Sequence, residues 1–290
     1  MRRILLPLFL ALLAAPVLQA QPAWTQILHP QAPAVPEYVA FAGDTVRFDR
    51  TDFYERMDRE LISFTYMHTN TTLMLKRSRR YFAQIVPILR QQGIPEDLKY
   101  LMAIESNLDP KSVSTAGAAG LWQFLKGTGR SYGLEINDEV DERYNIAKST
   151  EAACKYLKEA YAKYGDWMTV AASYNAGQGG ITQRIANQRQ KKAMDLFLPV
   201  ETSRYMFRIL TAKYFFEHPE DFGFHITDPY PYRAPRKIVE ISAPIPNLTD
   251  FAAEHGTTYF FLKEANLWLR SDKLTNKNSK TYQIIIPRSE

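Results

Sequence analysis

Eight residues limit the architecture of this chain more than any other stretch. Asp228-Pro-Tyr-Pro-Tyr-Arg-Ala-Pro235 carries three prolines, which remove backbone donors, fix φ and continue neither a helix nor a central strand. The chain is therefore expected to divide here. Before this linker, apolar residues recur at helical spacing. After it, β-branched and alternating runs predict strands over 237–241 and 282–286, the only two expected in the chain. Two short helices lie between those strands, the first capped by Asn247 and ended at Gly256, the second running through Asn266. The expected fold is mainly α, a helical body followed by a small α+β unit of strand, helix, helix and strand.

Within the body, Asp52 with Glu55 three residues later has capping-box spacing and predicts a helix over 52–66. A second is expected over 71–92, kinked at Pro87 and stopped at Gly93, with Lys76, Arg77, Arg79 and Arg80 on a face read as solvated. Ile94-Pro95-Glu96-Asp97 then opens a third helix with Pro and two acids in its first turn. Further helices are expected over 149–164, 167–174 and 200–217. Residues 21–36 hold four prolines and read as an extended lead-in.

Composition removes several classes of function. Cys154 is the only cysteine among 290 residues, so the chain's own thiolates can form no disulfide, zinc cluster or iron-sulfur cluster. Cys154 itself, among Ala152, Ala153 and Leu157, is expected in the core. His29, His68, His218, His225 and His255 lack ligand spacing, and no nucleophile elbow or Cys/His pairing is present. The acidic run Glu135, Asp138, Glu139, Asp141 and Glu142 does not follow the EF-hand pattern and is read as solvated or helix-capping. Neither a metal nor a cofactor is expected. At the N-terminus, Arg2 and Arg3, an apolar run of 15 residues from Ile4 to Leu18, and Ala20 stand in signal-peptide order over 1–20. That run is shorter than the roughly 20 residues of a spanning helix, so cleavage and release into the periplasm are expected, with an uncleaved membrane-tethered leader as the other arrangement. No cysteine follows to take a lipid. Without Arg2 and Arg3, 34 basic residues face 31 acidic ones, a net charge of +3, which gives no electrostatic support for nucleic-acid binding.

The third helix carries an anomaly. Leu98, Leu101 and Met102 set an apolar stripe, and Glu105, seven residues after Leu98, falls on it. A carboxylate facing the core must be paired, neutral or used. Burial raises its pKa and keeps it protonated near neutral pH, the state a general acid needs. On periodicity alone, a structural Glu, paired with a buried Lys or Arg or capping a neighbouring element, is slightly the favoured reading.

The surrounding motifs shift that balance. Glu105-Ser106 is followed by Asn107-Leu-Asp-Pro110, by Ser114-Thr-Ala-Gly-Ala-Ala-Gly-Leu-Trp-Gln-Phe124, by Ala172-Ser-Tyr-Asn-Ala-Gly177 and by Leu198-Pro-Val-Glu-Thr-Ser-Arg-Tyr205. In this order they resemble the lytic transglycosylases of the goose-lysozyme-like family with an SLT domain, over about 52–223. The resemblance implies a lysozyme-like helical catalytic domain over 91–227, with 21–90 packing on it, that acts on peptidoglycan glycan strands as a cofactor-free monomer. It implies cleavage between N-acetylmuramic acid and N-acetylglucosamine. Glu105 would protonate the glycosidic oxygen and then deprotonate the muramoyl C6 hydroxyl, which closes a 1,6-anhydro ring. An internal nucleophile removes the need for the second carboxylate that hydrolysis requires. A hydrolytic muramidase using Asp109 or another acid, and an inactive wall-binding protein, are the alternatives.

The same resemblance implies substrate-binding roles for Ser106, Ser114, Gln123, Tyr174, Asn175, Glu201 and Tyr205, with Ser106 and Ser114 holding the acid and the muramoyl substituents. Tyr174 and Asn175 would face the acid across the groove. Trp122 is either a sugar platform or a core ring. Residues 236–290 resemble a LysM module, although Ala243-Pro-Ile-Pro-Asn-Leu-Thr249 replaces the usual Gly-Asp-Thr turn, so a structural cap and a sugar-binding module are both expected outcomes.

Overall fold

Residues 31–288 are described by the computed structural model; the expected signal peptide lies outside them. A hairpin of β1 (Tyr38–Phe41) and β2 (Asp44–Arg47) leads into α1 (Thr51–Tyr66) and α2 (His68–Gln91). Then come α3 (Leu98–Ser106), α4 (Lys126–Ser131), α5 (Ile146–Tyr164), α6 (Trp167–Ala176), α7 (Gln178–Gln188) and α8 (Val200–Glu217). Helix α8 packs against α1, α3 and α6, and Leu98, Leu101, Met102, Phe207, Leu210 and Phe215 lose all accessible surface around it. Cys154 lies in the same core, where burial pushes its thiol up to about 11. Among the described residues no helix is long and apolar enough to cross a membrane.

The mainly helical body and the strand, helix, helix, strand unit agree with expectation. The hairpin β1–β2 does not, because strands were expected only at the C-terminus. Its turn places Ala42 (φ 52°) and Gly43 (φ 88°) in the left-handed region, as a two-residue hairpin of this hand requires. Ala stands where Asn would have announced it. Val39 and Phe41 bury themselves against the body, and the Ala42 amide donates to Asp97 Oδ2 at 2.8 Å. That contact corrects a second expectation. Pro95, Glu96 and Asp97 form a turn ahead of α3 rather than its first turn, and the Asp97 carboxylate is spent on Ala42 and on Lys213 Nζ, 3.0 Å away on α8. Nor does Asp52 cap α1. It sits inside the helix and accepts from Arg50 Nε, the N-cap residue, at 3.1 Å.

Of two charged stretches, the basic one read as solvated is structural. The acidic one, read as solvated or helix-capping, both caps, through Asp141, which accepts from the Arg143 amide, and makes structural contacts. On α2, Lys76 Nζ meets Asp228 at 2.6 Å, the Lys76 carbonyl accepts from the Tyr230 amide at 2.7 Å, and Arg80 Nε donates to the Pro231 carbonyl at 3.2 Å. The basic face thus holds the proline linker against the body. Arg77 instead reaches the Asn107 carbonyl and Asp109 Oδ2, at 3.1 and 3.2 Å.

The acidic run does the same for the C-terminal unit, made of β3 (Lys237–Ile241), α9 (Leu248–Glu254), α10 (Tyr259–Ala265) and β4 (Tyr282–Ile286). The strands pair antiparallel from Lys237↔Ile286 to Ile241↔Tyr282. Asn247 and Thr258 cap the two helices through their side chains, as polar N-cap residues do. Glu135 binds Lys280 Nζ and the Tyr282 hydroxyl at 2.8 and 3.0 Å. Glu139 accepts from the Thr275 amide at 2.7 Å, and the Asp141 amide donates to the Trp268 carbonyl at 2.9 Å. Val140 enters the core of the unit with Leu248, Leu262, Trp268, Leu269 and Ile284.

Val140→Asp would place an unpaired carboxylate in that second core. It is expected to cost about 3 kcal/mol and to expose the 228–235 linker to limited proteolysis, whereas an unchanged unfolding midpoint with an intact linker would reject Val140 as the anchor.

Candidate active site

Glu105 lies in the last turn of α3, on the face that Leu98, Leu101 and Met102 turn to the core. The residue as a whole is half-buried, and protein surrounds most of its carboxyl. Burial is the dominant influence and raises the pKa to about 7, against the opposing pull of a hydrogen bond from Tyr205 and the charge of Arg208; Glu201 pushes it further up. The Tyr205 hydroxyl donates directly to Glu105 Oε1. Burial and the nearby carboxylate hold that phenol well above its ordinary range, so it stays a donor across the working pH range.

Helix α8 delivers this arrangement by spacing. Glu201, Tyr205 and Arg208 follow one another at four and three residues, which aligns them along one side of the helix. The contact between α3 and α8 brings that side to Glu105. Glu201 is exposed in the first turn, Tyr205 is buried and Arg208 is half-buried. Arg208 was absent from the sequence-derived site, although its position one turn beyond Tyr205 is a signal that points to it.

Tyr174 faces the acid by electrostatics but not by hydrogen bond. Its hydroxyl donates to the Trp122 carbonyl at 2.7 Å, while Glu105 contributes to raising its pKa well above normal. The ring stands in an aromatic chain, 5.1 Å from Tyr156 and 6.1 Å from Phe124. Tyr174 therefore ties α6 to the loop that carries Trp122, and the hydroxyl contact to the acid is made by Tyr205. Asn175 follows Tyr174, half-buried in the last turn of α6.

Residues 107–125 form that loop. Asn107 and Leu108 take φ values of 51° and 55°, which ends α3 two residues after Glu105 and turns the chain back. Gln123, also left-handed at φ 49°, donates through Nε2 to the carbonyls of Ser112 and Gly120 at 3.1 and 2.8 Å. Ser114 Oγ accepts from the Ala118 amide at 3.1 Å. The Ser106 hydroxyl is turned back onto the Met102 carbonyl, so it does not hold the acid as expected. Trp122 is a core ring, fully buried, with Nε1 donating to Thr150 Oγ1 at 2.9 Å. At Gly120 a side chain is impossible: φ is +78° and a Cβ would meet the Arg143 carbonyl oxygen at 2.1 Å. Arg143 is buried in a bidentate pair with Asp141, and its Nη1 donates to the carbonyls of Gly117 and Phe124 at 2.7 and 3.0 Å.

Residues 86–197 match the transglycosylase SLT domain family. The chain carries an SLT transglycosylase domain. Residues 237–290 match the soluble lytic transglycosylase C-terminal LysM-like domain. Glu105, the 107–125 loop and Tyr174 fall inside the SLT match, whereas Tyr205 and Arg208 on α8 lie just beyond it. Membrane-bound lytic murein transglycosylase D of Escherichia coli (strain K12) is 28% identical over 243 residues, which cover 81% of this chain and 52% of that protein. Peptidoglycan transglycosylase gp16 of Escherichia phage T7 is 36% identical over 92 residues, 31% of this chain and 7% of its own length. Membrane-bound lytic murein transglycosylase C of Histophilus somni (strain 2336) is 29% identical over 127 residues, 39% and 35% of the two chains. The chain spans about half the length of the first of these relatives.

A site with an acid of this kind carries a stability signature. The pKa of Glu105 is about 7 in the folded protein and 4.5 as its ordinary value, so between those pH values the native state holds the extra proton and stability falls as pH rises. The penalty is complete above about pH 7 and absent below about pH 4.5. Glu105→Gln is expected to raise stability by about 2 kcal/mol at pH 8, less than the whole shift converts to because the residue is half-buried and partly screened by solvent. At pH 4 it should give no gain. Urea unfolding at both pH values checks this, and an equal effect at each would contradict it.

Proposed function

We propose that the chain is a peptidoglycan lytic transglycosylase that cleaves the β-1,4 bond between N-acetylmuramic acid and N-acetylglucosamine and leaves a 1,6-anhydromuramoyl end. The observation that carries this reading is the state of Glu105, a carboxyl in an SLT domain whose pKa is lifted to about 7 by burial. Near neutral pH a large share of it is protonated and can give its proton to the glycosidic oxygen as the bond to C1 breaks. The resulting carboxylate is met by the Tyr205 hydroxyl and the charge of Arg208. It then takes the proton of the muramoyl C6 hydroxyl as that oxygen closes on C1, and Glu105 returns to its starting state. Water enters neither step.

A hydrolase would need a second carboxylate at about 5–5.5 Å for retention or about 6.5–9.5 Å for inversion. Asp109 is poorly suited, because Arg77 and the Lys111 amide occupy its two oxygens. Glu201 is an acid whose charge reaches Glu105, which makes it a better candidate than Asp109 for the second carboxylate of a hydrolytic reaction. In our reading Ser114, Gln123 and Asn175 line the sugar-binding cleft with Glu201, and Ser106 supports it from within α3. The working protein is a monomer exported to the periplasm by residues 1–20. Its transglycosylase domain spans 91–227, with 21–90 packed on it, and residues 236–290 follow the linker as a LysM-like module.

Mass spectrometry of digested sacculi tests the mechanism. Products lighter by one water than their hydrolytic counterparts are expected, and Glu105→Gln should lower turnover by about a thousandfold with the fold retained. Hydrated reducing ends alone, or activity surviving the substitution, would reject the proposal.

A further inference from the structure

A groove of about 320 Å³ opens between the helical body and the C-terminal module, with Lys111, Val113 and Tyr144 on one wall and Lys263, Glu264 and Arg270 on the other. Its charges are unequal. Lys111 Nζ is bound by both oxygens of Glu264, at 2.6 and 2.8 Å, which neutralises that pair across the mouth. Arg270 and Lys263 make no ion pair among the described residues. Arg270 lies over the Tyr144 ring, 4.4 Å from its centroid, and donates to the Leu267 carbonyl. Lys263 donates to the carbonyls of Leu269 and Ser271. Neither cation thus has a carboxylate of the described residues within ion-pair distance, although the charge of Asp272 is felt at Lys263. Arg270 is the cation least compensated in this partly apolar groove, a setting that favours an anionic ligand with some apolar surface.

The groove adjoins the cleft. Val113, exposed on its wall, precedes Ser114, and the Ser112 carbonyl on the other side of Val113 holds Gln123. The loop that carries two of the proposed sugar contacts is therefore also the lip of the groove. A substituent that branches from a sugar bound beside Ser114 would have this lip directly next to it.

We propose that this groove receives the peptide stem of a peptidoglycan strand bound at Glu105, with the stem's carboxylates meeting Arg270 and Lys263. The inference rests on the peptidoglycan reading above and deepens it. The C-terminal module then completes a peptide subsite and makes the enzyme prefer peptide-bearing glycan over denuded glycan.

Binding tests this separately from turnover. The full chain carrying Glu105→Gln is titrated with peptide-bearing glycan strands and with the same strands stripped of peptide. Peptide-bearing strands are expected to bind about fivefold tighter, the size of one or two partly exposed charge pairs. Adding Arg270→Glu should erase that difference without weakening denuded strands, and Arg270→Lys should keep it. Equal binding of the two strands to the Arg270 protein, a loss shared by both strands in Arg270→Glu, or an Arg270→Lys protein as impaired as Arg270→Glu would overturn the proposal. Absence of anhydro products from the wild-type enzyme would reject the catalytic reading instead, and this binding comparison would still decide the groove.

Discussion

The site depends on one opposition, the desolvation of the Glu105 carboxyl against the hydrogen bond it accepts from Tyr205. Desolvation alone would leave an acid too weak to give up its proton and a conjugate base too costly to form inside the protein. A strong donor alone would leave a permanent carboxylate. With burial winning by a limited margin, the group sits near 7, where both forms are accessible and one residue can serve as acid and then as base. The geometry behind this balance is the packing of α8 on α3, which is also the centre of the hydrophobic core.

A second constraint links the cleft to the C-terminal module. The segment around 135–144 is held from one side by Lys280, Thr275 and Trp268 of the module. From its other side, Arg143 holds the carbonyls of Gly117 and Phe124 in the cleft loop. The Arg143–Asp141 pair is buried, and removing either partner of such a pair costs about 3–5 kcal/mol. The module is thus part of the frame that holds the 107–125 loop.

Much of this was legible in the chain. The boundaries of α8, β3 and β4 fell where apolar and β-branched runs placed them, because a long helix buried on most sides and two strongly β-prone segments carry their own pattern. Glu105 announced itself by occupying an apolar stripe. The hairpin was hidden because Ala42 adopts a left-handed conformation that tertiary contact with Asp97 supports and local propensity does not. Although Asp141 does cap as the sequence allowed, the structural contacts of the charged runs were hidden for a related reason. Their partners, Asp228, Lys280 and Thr275, lie more than 130 residues away, beyond any local pattern. The motifs place Tyr174 opposite the acid, but motif order says nothing of which hydroxyl a fold aims at a carboxyl, and here the Trp122 carbonyl claims the Tyr174 hydroxyl while Tyr205 donates to Glu105.

The most direct test of this account is the titration of Glu105 itself, followed by carbon-13 NMR of its side-chain carboxyl in the full chain. A midpoint near 7, moved higher in Tyr205→Phe because the donor that favours the charged form is gone, is the predicted result. A midpoint at the ordinary value of about 4.5, or one indifferent to Tyr205, would contradict it.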